Sequence, residues 1–212
     1  MFKKLIAAII TVGVFGFAGA AHAQEAADAF VKRISQEVLE TAKTDKDIQS
    51  GNQQKILEVV QAKILPNVDF QRMTSLAAGR YWREATPKQQ KRLTEEFRDL
   101  LVYTYAGAIA QIRDQQLEFR PMRNDPADTD VEVRSQVVQQ RGEPIQLNYR
   151  LSKSGNSWKI YDLNVLGAWL VETYKGNFAS EISKGGVDGL IKTLAERNKR
   201  LAARGFKTGK PS

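Results

Sequence analysis

The chain has 212 residues, a formal charge of +8, no cysteine and one histidine, His22. That histidine falls within a leader-like N-terminus, so the remainder has neither His nor Cys. This excludes Ser-His-Asp and Cys-His nucleophiles, His- or Cys-ligated zinc, His-held haem and disulfides. Met1 to Ala23 reads as a secretory signal peptide. Lys3 and Lys4 form its positive start, Leu5 to Ala21 its apolar run and Ala21-His22-Ala23 its cleavage site. No Cys follows that site to take a lipid anchor, so an exported protein starting at Gln24 is expected, held by its core alone. Losing Lys3 and Lys4 leaves 30 basic against 24 acidic residues, or +6. These charges are interspersed except over Arg197–Lys210, a solvated surface rather than a nucleic-acid footprint. Attraction to anionic lipid or to an acidic partner is compatible with them.

In chain order, Ala26–Ala42 has a helical stripe of Phe30, Ile34 and Val38. A polar break at Thr44–Asn52 precedes a helix carrying Ile56, Val59, Val60 and Ile64, which stops at Pro66. Asp69 caps a short helix with Phe70, Met73, Leu76 and Ala77, closed by Gly79. Thr86-Pro87-Lys88-Gln89 is a capping box with proline at the first helical position. The apolar period from Leu93 to Ile112 then predicts one helix to about Asp114, roughly 40 Å at ~1.5 Å per residue. Gly107 allows it to bend.

After Asp114 the period changes to two. Leu117 and Phe119 mark one strand; Val131, Val133 and Val137 mark the next, with Val138 out of pattern. Arg141-Gly142-Glu143-Pro144 turns the chain into a strand of Ile145, Leu147, Tyr149 and Leu151. Lys153–Ser157 turns it into a strand from Trp158 to Asp162. Gly167 interrupts that strand, and Leu170, Tyr174 and Phe178 recur at helical spacing. A last helix follows Gly185-Gly186 over residues 185–203, carrying Leu190, Ile191, Leu194 and Leu201. Residues 204–212 form a basic tail expected to be disordered. The fold class is therefore α+β: one domain over 24–203, with a curved antiparallel sheet of about four strands covered by several helices.

Trp158-Lys159-Ile160-x-Asp162, the link to Gly167, and Tyr174-Lys175-x-x-Phe178 resemble the signature of a known family. It comprises the periplasmic phospholipid-binding proteins of the Mla lipid-transport pathway, the MlaC or toluene-tolerance family. Gly79-Arg80-Tyr81-Trp82 followed by Thr86-Pro87-x-x-Gln90 resembles it too. Two positions depart: Ala168-Trp169 stands where the family commonly has Val-Ser, and Lys175 where Arg is common. Lys175 could attract phosphate only as a point charge.

Composition and periodicity alone read the inward side chains as a solid core. The resemblance instead implies an elongated apolar cavity taking glycerophospholipid tails, with the head group near solvent. Its candidate lining is Val133, Leu147, Tyr149 and Ile160 from the sheet, and Phe97, Leu101, Tyr105, Ile109, Trp169 and Tyr174 from the helices. Lys175 is the candidate head-group or docking charge. The resemblance further implies a monomeric periplasmic shuttle with no cofactor, metal or catalytic residue and phospholipid as cargo. Its implied partners are an inner-membrane ABC transporter with an MCE-domain ring and an outer-membrane lipoprotein–porin complex. Two other readings are an isomerase or hydrolase on a cone-shaped α+β fold, using an Asp or Tyr, and an envelope adaptor protein. Asp162 is the tempting acid, but a strand-end Asp commonly serves as a cap or turn acceptor. No second carboxylate is placed beside it by spacing.

Overall fold

A computed structural model describes residues 25–122, 125, 127–140 and 142–206. The leader at 1–23, Arg141 of the expected turn and most of the basic tail lie outside the described residues. Helix α1 (Ala27–Thr44) buries Phe30, Val31 and Ile34, as its stripe requires. The polar break holds one further turn, α2 (Lys46–Gln49), because the Asp45 carboxylate accepts from the backbone N–H groups of Asp47 and Ile48. Asn52 caps α3 (Gln53–Val59). The chain then loosens into a π turn and tightens into a 3-10 turn over Leu65–Asn67 that contains Pro66. Asp69 caps α4 (Phe70–Ala78) through the Arg72 N–H, and Gly79 ends it at a φ of 57°. Leu76, placed on the apolar stripe by periodicity, is instead exposed. A short α5 (Tyr81–Glu84) leads to α6 (Pro87–Tyr105), whose capping box forms both of its bonds.

Helix α6 is shorter than its period predicts. After Tyr105 the chain becomes a 3-10 helix over Ala106–Gln111. The sequence there is Ala-Gly-Ala, in which glycine disfavours the α-helix. The tighter winding still buries Ala106, Ile109 and Ala110.

Strands β1 (Gln116–Phe119), β2 (Asp130–Val138), β3 (Ile145–Ser154), β4 (Ser157–Val165) and β5 (Ala168–Trp169) form an open antiparallel meander in sequence order. The sheet thus has five strands where about four are expected. The extra one is the two-residue β5, too short for a periodic signal. Helix α7 (Leu170–Arg204) completes the fold and breaks at Gly185–Gly186, where Gly186 has a φ of 66°. It is two helices in effect, as the glycine pair predicts, and the second runs to Arg204 rather than ending at 203. No helix among the described residues is long and apolar enough to cross a membrane.

Three apolar clusters make up the core. One joins α4, α6 and α7 around Phe97, Leu100, Tyr174 and Phe178. A second joins α1 to the sheet around Phe30, Val133, Tyr149 and Leu151. The third joins the end of α1, α2, α3 and the 3-10 helix around Ile48, Ile56 and Ile109.

Candidate functional site

The strand β4 organises the site because three segments are tied to it by directional bonds. The Trp158 indole N–H donates to the Glu25 carbonyl at 2.9 Å, fixing the start of α1. The Lys159 ammonium donates to the Pro66 carbonyl, and the Ile160 carbonyl accepts from the Asp69 N–H at 2.8 Å, fixing the entrance to α4. Asp162 then ties down α7. Its Oδ1 accepts from the N–H groups of Leu163 at 2.9 Å and Val171 at 3.0 Å. Its Oδ2 meets Arg150 at 3.4 Å. Since Trp169, the N-cap residue, offers no side-chain cap, Asp162 supplies that function from the neighbouring strand. Burial pushes its carboxyl pKa up against these bonds. The sequence reading of Asp162 as a cap acceptor describes this geometry.

A bulge sets which β4 side chains face inward. Leu151 pairs with Ile160 and Arg150 with Asp162, leaving Tyr161 unpaired. The inward set is therefore Trp158 and Ile160 before the bulge, Leu163 and Val165 after it. On this face Tyr149 pairs with Leu163, Leu147 with Val165, and Val165 with Ala168. The opposite face carries Asn148, Arg150, Asp162, Asn164 and Trp169, because side chains alternate along the paired strands on the C-terminal side of the β4 bulge.

The residues singled out from the sequence fall into separate groups. Val133, Tyr149 and Ile160, with half-buried Leu147, belong to the sheet cluster under α1. Tyr149 is buried, and burial raises its pKa. Phe97, Leu101 and Tyr174 belong to the helix cluster. There Phe97 meets the edges of Tyr174 and Phe178, each at a centroid distance of 4.9 Å. Burial and the neighbouring Tyr105 push the Tyr174 hydroxyl up to about 12. Tyr105, beside that hydroxyl, is 37 % exposed. Ile109 lies in the third cluster, apart from both. Trp169 is a correction to the expected lining. It lies on the opposite sheet face, its ring 3.9 Å from the Arg150 guanidinium, away from Leu147 and Tyr149. Lys175 is exposed and 3.7 Å from Glu172.

The helix and sheet clusters meet at a seam. Val68 and Leu163 are partly buried and pack against both. Beside them Leu147 and Val165 are only half covered. The seam has apolar clusters on both sides. Two surface clefts lie elsewhere. One of about 310 Å³ runs between α3 and α6, past Leu57, Val60 and Val102. One of about 690 Å³ lies over α1 and β1 among Arg33, Glu37, Glu40 and Lys63.

A model of the MlaC protein family matches residues 32–196, most of the described chain. The chain belongs to the MlaC family. It is 26 % identical over 160 residues to the intermembrane phospholipid transport system binding protein MlaC of Haemophilus influenzae, covering 71 % of this chain and 74 % of that one. It is 26 % identical over 165 residues to a toluene tolerance protein of Pseudomonas putida, covering 77 % and 76 %. Among solved structures it resembles a phospholipid-binding protein of Ralstonia solanacearum in complex with a phospholipid. That match has 50 % identity and a TM-score of 0.79, and covers 83 % of this chain and 98 % of the other.

Within this MlaC-family chain, sequence reasoning missed Val68, Leu163 and the staples to Pro66, Glu25 and Val171. A signal for Leu163 existed. The apolar positions 158 and 160 change phase to 163 and 165, the mark of a one-residue bulge in an otherwise alternating strand.

Proposed function

We propose that the protein is a periplasmic carrier of glycerophospholipid that performs no chemistry. Its acyl chains lie along the seam between the helix cluster and the inward face of β3 and β4, with the head group at the rim. The carrying observation is this seam, apolar on both walls, in a chain 50 % identical to a protein solved with a bound phospholipid. Taking acyl chains there requires the two clusters to part at Val68 and Leu163. Phe97, Leu101 and Tyr174 then line one wall, and Leu147, Tyr149 and Ile160 the other. Asp162 has no place in a reaction on this reading, since both its oxygens are engaged in holding α7 and Arg150.

Two acyl chains with roughly thirty methylenes, at about 0.8 kcal/mol each, gain more than 20 kcal/mol on leaving water. Such cargo does not escape into solvent at a useful rate, so exchange takes place while the carrier is docked. The partners of this reading are an inner-membrane transporter with an MCE-domain ring and an outer-membrane lipoprotein–porin complex. Lys175 offers charge for docking or for a head group.

The test is solvent extraction of the gently purified protein followed by mass spectrometry. Phospholipid near one molecule per chain is expected, and its absence would overturn the reading.

A further inference from the structure

We propose that the turn at Leu166–Gly167 is a lipid-surface contact, an apolar knob that touches an anionic bilayer while phospholipid is exchanged. This rests on the carrier reading above. Leu166 has a φ of 55° and is the one non-glycine residue in the left-handed region among the described residues. With Gly167 at 87° it makes a two-residue hairpin turn whose first position favours Asn, Asp or Gly. A leucine there is strained, and strain of this kind persists where something else compensates for it. Packing within the chain does not, because Leu166 is 68 % exposed. The turn is nonetheless held in place. The Leu166 N–H donates to the Gln146 carbonyl at 3.2 Å and the Gly167 N–H to Asn164 Oδ1 at 3.1 Å. The molecule thus presents one bulky apolar side chain on a fixed support.

What surrounds the knob favours lipid over a protein socket. Trp169, three residues on, lays its ring 3.9 Å from the Arg150 guanidinium. The Arg150 side chain is itself 37 % exposed and reaches Asp162 only at 3.4 Å. An apolar tip, then an aromatic ring, then a cation is the order of groups suited to acyl chain, interface and phosphate. The chain's positive balance suits an anionic surface. The knob also stands at the end of the half-covered apolar face, where Leu147 and Val165 run toward the seam. A lipid leaving or reaching the seam along this face would pass beside it. One knob gives a weak, reversible contact, as a carrier requires.

The chain has no cysteine, so Leu166→Cys gives the full-length mature protein a unique thiol for an environment-sensitive fluorophore. Vesicles of phosphatidylglycerol and phosphatidylcholine should shift its emission to the blue. Pure phosphatidylcholine, or high salt, should weaken the shift. Leu166→Asn suits the turn, so it should raise the melting temperature and leave co-purified phospholipid unchanged. It should slow transfer to the anionic vesicles by about tenfold, the order expected for one lost Leu contact. An unshifted probe, or wild-type transfer by Leu166→Asn, would overturn the proposal. So would slowed delivery by Leu166→Asn to a protein acceptor with vesicle transfer unaffected, which would assign the knob to a protein socket. The probe reports surface contact whether or not cargo is bound, so failure of the carrier reading shows in the extraction and not here.

Discussion

Strand β4 and the α6–α7 pair form the two walls of the seam, yet they are held in different ways. β4 is tied to α1, to the segment before α4 and to α7 by hydrogen bonds that Trp158 and Lys159 donate and Ile160 and Asp162 accept. The helix pair is held mainly by the edges of Phe97, Tyr174 and Phe178. Among the described residues, Asn198 supplies the buried polar tie, its Nδ2 donating to the Glu96 carbonyl at 2.9 Å and to the Glu96 carboxylate at 2.7 Å. Directional bonds fix a wall in place, because losing a partner leaves a buried group unsatisfied. Apolar contacts are not directional, and an acyl chain can replace an aromatic edge at little cost. On the proposed carrier reading, the sheet side is the fixed wall and the helix side the one that yields to cargo.

Removing the largest apolar contact should have the largest effect on stability. Phe97→Ala is expected to cost about 3–5 kcal/mol in urea unfolding, as large-to-small core changes do. Asp162→Ala should cost about 2–3 kcal/mol, since it leaves the Val171 and Leu163 N–H groups without their acceptor. The two variants should part in their response to lipid. Bound phospholipid should offset some of the loss in Phe97→Ala by filling the space. It should not do so in Asp162→Ala, where the defect is an uncapped helix. Equal recovery in both variants would erase the distinction between the walls.

Trp169→Ser gives the smallest effect. On the opposite sheet face the ring loses its stack on Arg150 and some partial burial, about 1–2 kcal/mol. Co-purified phospholipid should be unchanged in amount and in acyl length. A shift toward longer chains would return Trp169 to the lining.

The architecture was largely legible because its signals are local. The capping box at Thr86, the Asp69 cap, the glycine break at 185–186 and the period change after Asp114 each depend on a few neighbouring residues. The short elements α2, α5 and β5 were not, since a single turn or a two-residue pair carries no period. Tyr149, Ile160, Phe97 and Tyr174 are inward, but in two clusters that periodicity cannot tell apart. Trp169 was misplaced because its face is set by pairing with Asn164, a register fixed by the turn at Leu166 and the bulge at Tyr161. The same bulge hid Leu163, while the role of Asp162 depended on a partner in the next element.

The central claim is that acyl chains lie along the seam, and a phospholipid carrying a photoreactive diazirine on one acyl chain tests it most directly. After loading, irradiation and digestion, peptide mass spectrometry should find adducts on both walls. Those adducts should include Leu163 or Leu147 from the sheet and Leu101 or Tyr174 from the helices. Adducts confined to Leu57, Val60 and Val102 would instead place the cargo in the cleft between α3 and α6 and contradict the account.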